Sequence, residues 1–253
     1  MSRLIFLVLA LAAPGCMTGF NREALAVKFQ KVGVGSDEEI SKIQALRPQT
    51  KFPCKVAVYL ADDGSFRWTQ QDKAQLEKWC AELVNDGVIT ELIFINDLFA
   101  SGESSLKELR AAAAKYGADV LLTIRGATDV DEYVNPASLL NVTVVGAYVA
   151  PGHHRDALMM IRGALVDVNN GFLYATSESE GEGRTIRPYF LTDRKSAIEM
   201  AKAQAFEVFY QDFAKRLRKA HREFDKPVEK FTELPEPRKR PELDENLKIP
   251  IVP

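Results

Sequence analysis

Two rhythms of apolar positions run along this chain, and they change over near residue 125. Before that point, short apolar runs alternate with helical stripes. Val56–Leu60, Leu92–Ile95 and Val120–Ile124 are unbroken apolar or nearly apolar runs, short enough to be strands buried on both faces. Between the first two lies a stripe of Leu76, Trp79, Cys80, Leu83 and Val84 at spacings of three and four, which predicts a helix through Asp86. Thr69 and Asp72 form its N-terminal capping pair, and Gly87 supplies its C-terminal stop. The second stripe, Leu106, Leu109, Ala113 and Tyr116, is framed in the same way by Ser105 with Glu108 and by Gly117. A β-α-β-α-β order of this kind implies parallel strands joined by right-handed crossovers.

After residue 125 the expected pattern is antiparallel. Thr128–Ser138 reads as a polar loop carrying Asp129, Asp131, Glu132 and Tyr133, and as a partner-binding loop if the chain has one. Three strands are expected next, at Val142–Val149, Leu158–Val168 and Phe172–Ser177. Their turns are Pro151-Gly152-His153-His154 and Asn169-Asn170-Gly171, the second containing the strong hairpin pair Asn-Gly. The glycine-rich stretch Glu178–Arg187 reads as an exposed loop. Ile198, Ala201, Ala205, Phe209, Phe213, Leu217, Ala220 and Phe224 then hold helical spacing over some thirty residues, predicting one long helix from Arg194 to Phe224. The fold class is mixed α/β, a two- or three-layer sandwich. It has a parallel βαβαβ part, an antiparallel three-strand meander and a long C-terminal helix, within residues 54–225.

The two ends differ from this core. Leu4–Ala13 is an apolar run of ten residues behind Arg3, short of the ~20 needed to span a bilayer as a helix. With Ala13-Pro14-Gly15-Cys16 it resembles the secretion signal and lipobox of bacterial lipoproteins. That resemblance implies removal of residues 1–15, acylation (palmitate among the acyl chains) of Cys16, and a periplasmic-side lipid anchor. Met17 stands where enteric inner-membrane lipoproteins carry Asp, so the outer membrane is favoured over the inner. Residues 16–53 read as a tether with one short helix, opened by Ser36 and Glu39 and carrying Ile40, Ile43 and Leu46. Residues 226–253 contain six of the twelve prolines and read as an extended or disordered tail.

Charge and chemistry narrow the function. The formal net charge is -2, and the loss of Arg3 with residues 1–15 would leave -3, which argues against a nucleic-acid partner. With Cys16 acylated, Cys54 and Cys80 remain as an even pair in an oxidising compartment. They can form a disulfide or stay as two buried thiols. No metal site is expected, because the topology places the acidic loop and His153-His154 at opposite ends of the sheet. Gly181-Glu182-Gly183-Arg184 lacks the Lys-Ser/Thr ending of a phosphate loop, and no nucleophile elbow or zinc-protease motif is present. Lys215, Arg216, Arg218, Lys219 and Arg222 complement the dipole at a helix C-terminus. No catalytic residue and no cofactor are assigned.

Val142-Thr143-Val144-Val145-Gly146-Ala147-Tyr148-Val149-Ala150-Pro151-Gly152 resembles the rhombotarget-type bacterial lipoproteins, as do Ala164–Val168 and Ala118–Leu122. The C-terminus departs from that family, since Ile249–Pro253 is no glycine-rich sorting tail. More distantly, the strand–helix order is similar to the curli secretion lipoprotein, the TolB N-terminal domain and penicillin-binding-protein activator lipoproteins. These resemblances imply a non-catalytic binding or assembly role towards another envelope protein or peptidoglycan. A self-assembling subunit, or a hydrolase of envelope polymer, is the alternative.

Overall fold

The computed structural model describes residues 19–29, 37–61, 64–96, 98–100, 104–191 and 194–224. The signal segment, Cys16, Ser36 and the proline-rich tail lie outside these residues. Five strands form one sheet in the order β2-β1-β3-β4-β5. The strands are β1 (Cys54–Ala61), β2 (Ile89–Phe94), β3 (Val120–Val134), β4 (His153–Asp167) and β5 (Leu173–Arg187). β1 pairs in parallel with β2 and β3, while β3–β4 and β4–β5 are antiparallel. The mixed α/β expectation therefore holds.

Helices cover both faces. They are α1 (Arg22–Phe29), α2 (Asp37–Gln44), α3 (Gln70–Asn85), α4 (Leu106–Lys115), α5 (Val144–Val149) and α6 (Arg194–Phe224). α3 and α4 begin at the expected capping boxes, Thr69 with Asp72 and Ser105 with Glu108. Gly87 and Gly117 follow them with φ of +69° and +66°, the left-handed turn that glycine takes without strain. Alternate residues of β1 serve alternate faces. Val56 and Val58 enter the core under α3 and α6, while Ala57, Tyr59 and Ala61 enter the core under α4. That two-sided burial is why the run is continuously apolar.

Three expectations need correction. Val142–Val149 is no strand: Pro136–Val142 is a 3₁₀ turn and Val144–Val149 is α5. Asn135 caps the first and Thr143 the second, each side chain accepting from a backbone N–H two or three residues on. Thr128–Val134 is not loop but the outer half of β3, paired residue by residue with β4 out to Val134 opposite His153. Glu178–Arg187 is not loop either, but the outer half of β5. The antiparallel meander is therefore β3-β4-β5, with β3 supplying the strand assigned to Val142–Val149.

Residues read as tether also dock on the sheet. Leu25 of α1 is buried with Ala127, Leu158 and Met160, and Phe20 and Phe29 flank it. Residues 49–50 are tied to Asp167. α2, by contrast, leaves Ile40 and Ile43 exposed. Cys54 and Cys80 share the larger core as free buried thiols. Burial pushes both thiols up to about 12. Lys202, also buried, bridges α6 to α3 through Asp72 at 3.0 Å and meets Glu199 at 2.7 Å. It serves the core, and the sequence reading did not single it out.

Candidate functional site

The residues selected from sequence lie on the outer half of β3, split between its two faces by the strand's period of two. Asp129, Asp131 and Tyr133 share the α1 face, whereas Glu132 lies on the opposite face, where it meets Arg155 at 3.5 Å. The carboxylates on the α1 face are committed within the chain. Asp131 accepts the backbone N–H of Gly19 at 3.0 Å, and Asp129 accepts that of Asn21 at 3.0 Å. Arg22 adds ion pairs to Glu180 and Glu182 of β5. Together they fasten the chain that follows the Cys16 region to the outer part of the sheet.

Tyr133 joins a second group. Its hydroxyl donates to buried Asp156 at 3.2 Å, and Arg184 grips the same carboxylate at 3.0–3.1 Å. Burial, then the Asp156 charge, pushes the Tyr133 phenol above its ordinary value, so it remains a protonated donor. Its ring stacks on His154 at 4.8 Å. The sheet register brings the acidic residues and the histidine pair to the same end, Tyr133 opposite His154, which overturns the expected separation. Among the described residues, no three His, Cys, Asp or Glu side chains converge as a metal set.

Each histidine of this pair meets an asparagine side chain. Asn135 donates its amide to Pro151 O at 3.1 Å and so presents the same nitrogen to His154 Nε2 at 2.8 Å. Asn141 presents its amide nitrogen to His153 Nε2 at 3.0 Å. Each Nε2 thus faces an asparagine side-chain amide. Burial, then Arg155, holds the His153 pKa below its usual value.

What the sequence reading missed stands just beyond these groups. The 3₁₀ turn 136–142, α5 and a second 3₁₀ turn, Tyr189–Leu191, form a cap over the end of β3-β4-β5. Its large apolar side chains point outward: Val142 is 90% exposed, Val144 76%, Val145 73% and Val149 70%. Leu139, Leu140, Tyr148, Phe190 and Leu191 are exposed beside them. An open cleft of about 520 Å³ runs between Val134, Val144, Tyr148, His153 and Phe190. Tyr148 stacks on Phe190 at 4.7 Å, and His153 contacts Tyr189. Residues 135–152 contain no charged side chain in a chain that is 27% charged. That absence was the signal available in the sequence. Folded monomers rarely expose so continuous an apolar patch without a use for it.

The N-terminal fastening has a direct test. Replacing Asp129 and Asp131 together by alanine should cost about 1.5–3 kcal/mol, the range for lost hydrogen bonds to charged groups. Amide exchange should quicken across α1 while β1 to β3 stay protected. Unchanged protection of α1 would show that Leu25 alone holds it.

No family model and no curated protein sequence matches the chain. Solved structures with partial likeness include a putative neuraminyllactose-binding hemagglutinin homolog from Helicobacter pylori. It is 12% identical, with a TM-score of 0.38, over 71% of this chain and 91% of that one. A lipoprotein from Neisseria meningitidis is 11% identical, with a TM-score of 0.31, over 60% and 94%. The LpoB C-terminal domain from Salmonella enterica is 15% identical, with a TM-score of 0.26, over 56% and 90%. Bacterial lipoproteins thus figure among the similar structures, but scores this low carry no argument about activity.

Proposed function

We propose that this chain is a bacterial envelope lipoprotein, anchored on the periplasmic side through acylated Cys16, that binds another envelope component without catalysis. The observation that supports the reading best is the uncharged apolar cap, a surface built for docking. Catalysis would ask for a titratable group free to exchange a proton at a cleft. The carboxylates and histidines of this end are instead spent on the N-terminal chain, on Arg184 and on two asparagine amides. The Asp129–Tyr133 segment, expected as a partner-binding loop, is the outer half of β3 at the same end as the cap. Outer-membrane placement, and kinship with the rhombotarget-type lipoproteins, belong to this proposal through Met17 and residues 142–152.

A photo-crosslinking residue at Val145, in intact cells, tests the binding role. One dominant adduct would name the component, and a ladder of the chain itself would favour a self-assembling subunit. Cys16→Ala tests the anchor separately, since the protein should then leave the membrane fraction. Retention there would refute acylation as the anchor.

A further inference from the structure

The cap lies beside the place where the chain leads back to Cys16. Asp131 holds Gly19 on one face of the sheet, and Val134, three residues farther along β3 and turned to the other face, abuts the cap at the same end. Three residues span at most about 11 Å of extended chain, so Cys16 stays within that reach of Gly19. α1 runs the other way from Gly19, towards Phe29 beside Arg162. Any acyl chains on Cys16 thus start from the capped end of the sheet. Resting on the docking reading above, we propose that the component met by the cap is the bilayer interface itself. The protein is then held at two points, by acylated Cys16 and by residues 139–149 with 189–191.

Three further observations favour lipid over a protein surface. A surface that enters a bilayer carries little charge into the acyl region, where charge is costly. Residues 135–152 offer no charge at all. Next, backbone groups entering lipid must be satisfied internally. Within the cap, Thr143 N–H donates to Leu140 O, Ala147 N–H to Thr143 O and Ala150 N–H to Gly146 O, at 2.8–3.1 Å. Lastly, Tyr148 and Tyr189 stand among the aliphatic side chains, the residue type that favours the headgroup level. Arg187, exposed on β5 opposite His153, lies at the edge of the cap, where a cation can reach an anionic headgroup. The strands then lead away from the membrane and carry the β4–β5 turn out by roughly 45 Å.

The test uses the full acylated protein in vesicles of phosphatidylethanolamine and phosphatidylglycerol. Val145→Cys and Val149→Cys variants are labelled with an environment-sensitive dye, and Ala114→Cys on α4 marks the distant end. Cys54 and Cys80 are buried thiols, so the dye reports the introduced position. Labels at 145 and 149 should shift to the blue and be quenched by lipids spin-labelled near the headgroup, while the label at 114 should not respond. A Val145→Asp, Leu140→Asp pair should abolish the response at 149 without releasing the acylated protein. Vesicle-bound protein with no quenching at 145 and 149 would overturn the bilayer proposal. So would a response that persists in detergent and scales with protein concentration, which would mark a second copy as the occupant. The in-cell cross-link from Val145 separates the two failures. A protein adduct without lipid quenching leaves docking intact and removes the bilayer, and neither signal removes docking as well.

Discussion

Valine at Gly181 or Gly183 is expected to lift α6 off the sheet and destabilise the protein by about 3 kcal/mol or more, the upper end for overpacking a core. α6 lies along β5, with Ala197, Ala201 and Ala205 turned to the strand. A Cβ on Gly181 would overlap the carbonyl of Ala201 and the backbone of Ala205; one on Gly183 would overlap the carbonyl of Ala197. These are backbone atoms, which no rotamer change can move aside. At roughly 2–4 °C per kcal/mol for a domain of this size, the melting temperature should fall by about 6–12 °C. Ser179→Ala, next along the same row, removes only the hydrogen bond from its hydroxyl to Ala205 O at 2.7 Å and should cost about 1 kcal/mol. Equal losses at Ser179 and Gly181 would refute the close-approach account.

Asp167→Ala should have a comparable effect, about 3–5 kcal/mol, because it removes a buried charge from partners that are left unsatisfied. Asp167 is fully buried at the end of β4. One oxygen accepts from Gln49 N–H, Thr50 N–H and the Thr50 hydroxyl at 3.0 Å and from the Tyr174 hydroxyl at 2.8 Å; the other accepts from Asn169 N–H. Burial alone would raise its pKa. The hydrogen bonds, led by Tyr174, outweigh burial and leave it below the ordinary carboxylate value. A carboxyl whose folded pKa is depressed binds its proton first in the unfolded chain. Its contribution is therefore complete above the unfolded pKa near 4 and is lost as pH falls through the lower folded value. Urea unfolding at pH 7 should show the full gap between wild type and D167A, and the gap should narrow below about pH 4. A gap independent of pH would point to lost packing instead.

The parallel half of the fold was legible because its signals are local. Thr69 with Asp72 and Ser105 with Glu108 cap their own helices, and the stripe from Ile198 to Phe224 shows only one period. The antiparallel half was misread where composition was weighed above period. Ser177-Glu178-Ser179-Glu180-Gly181-Glu182-Gly183-Arg184 looks like a solvated loop by content. By period it is a strand, every second residue buried and every other exposed. Its inner side chains are small because α6 must come close. Val142–Val149 failed in the opposite sense. Its β-branched residues favour a strand, yet Asn135-Pro136 and Thr143 with Gly146 start two helical turns, and β3 already fills the place beside β4.

The chain's sequence alone determined the element order, the parallel βαβ half, the long helix and the uncharged stretch 135–152, since each follows from neighbours a few residues apart. Only the tertiary structure decided how far β3 and β5 extend, that Asp129 and Asp131 hold residues 19–21, and that Tyr133 meets His154. It also decided that the uncharged stretch becomes an exposed cap at the end of the sheet where residues 19–21 are held. Each of these turns on pairing across more than a hundred residues or on strand register, where a one-residue slip would send every side chain to the other face.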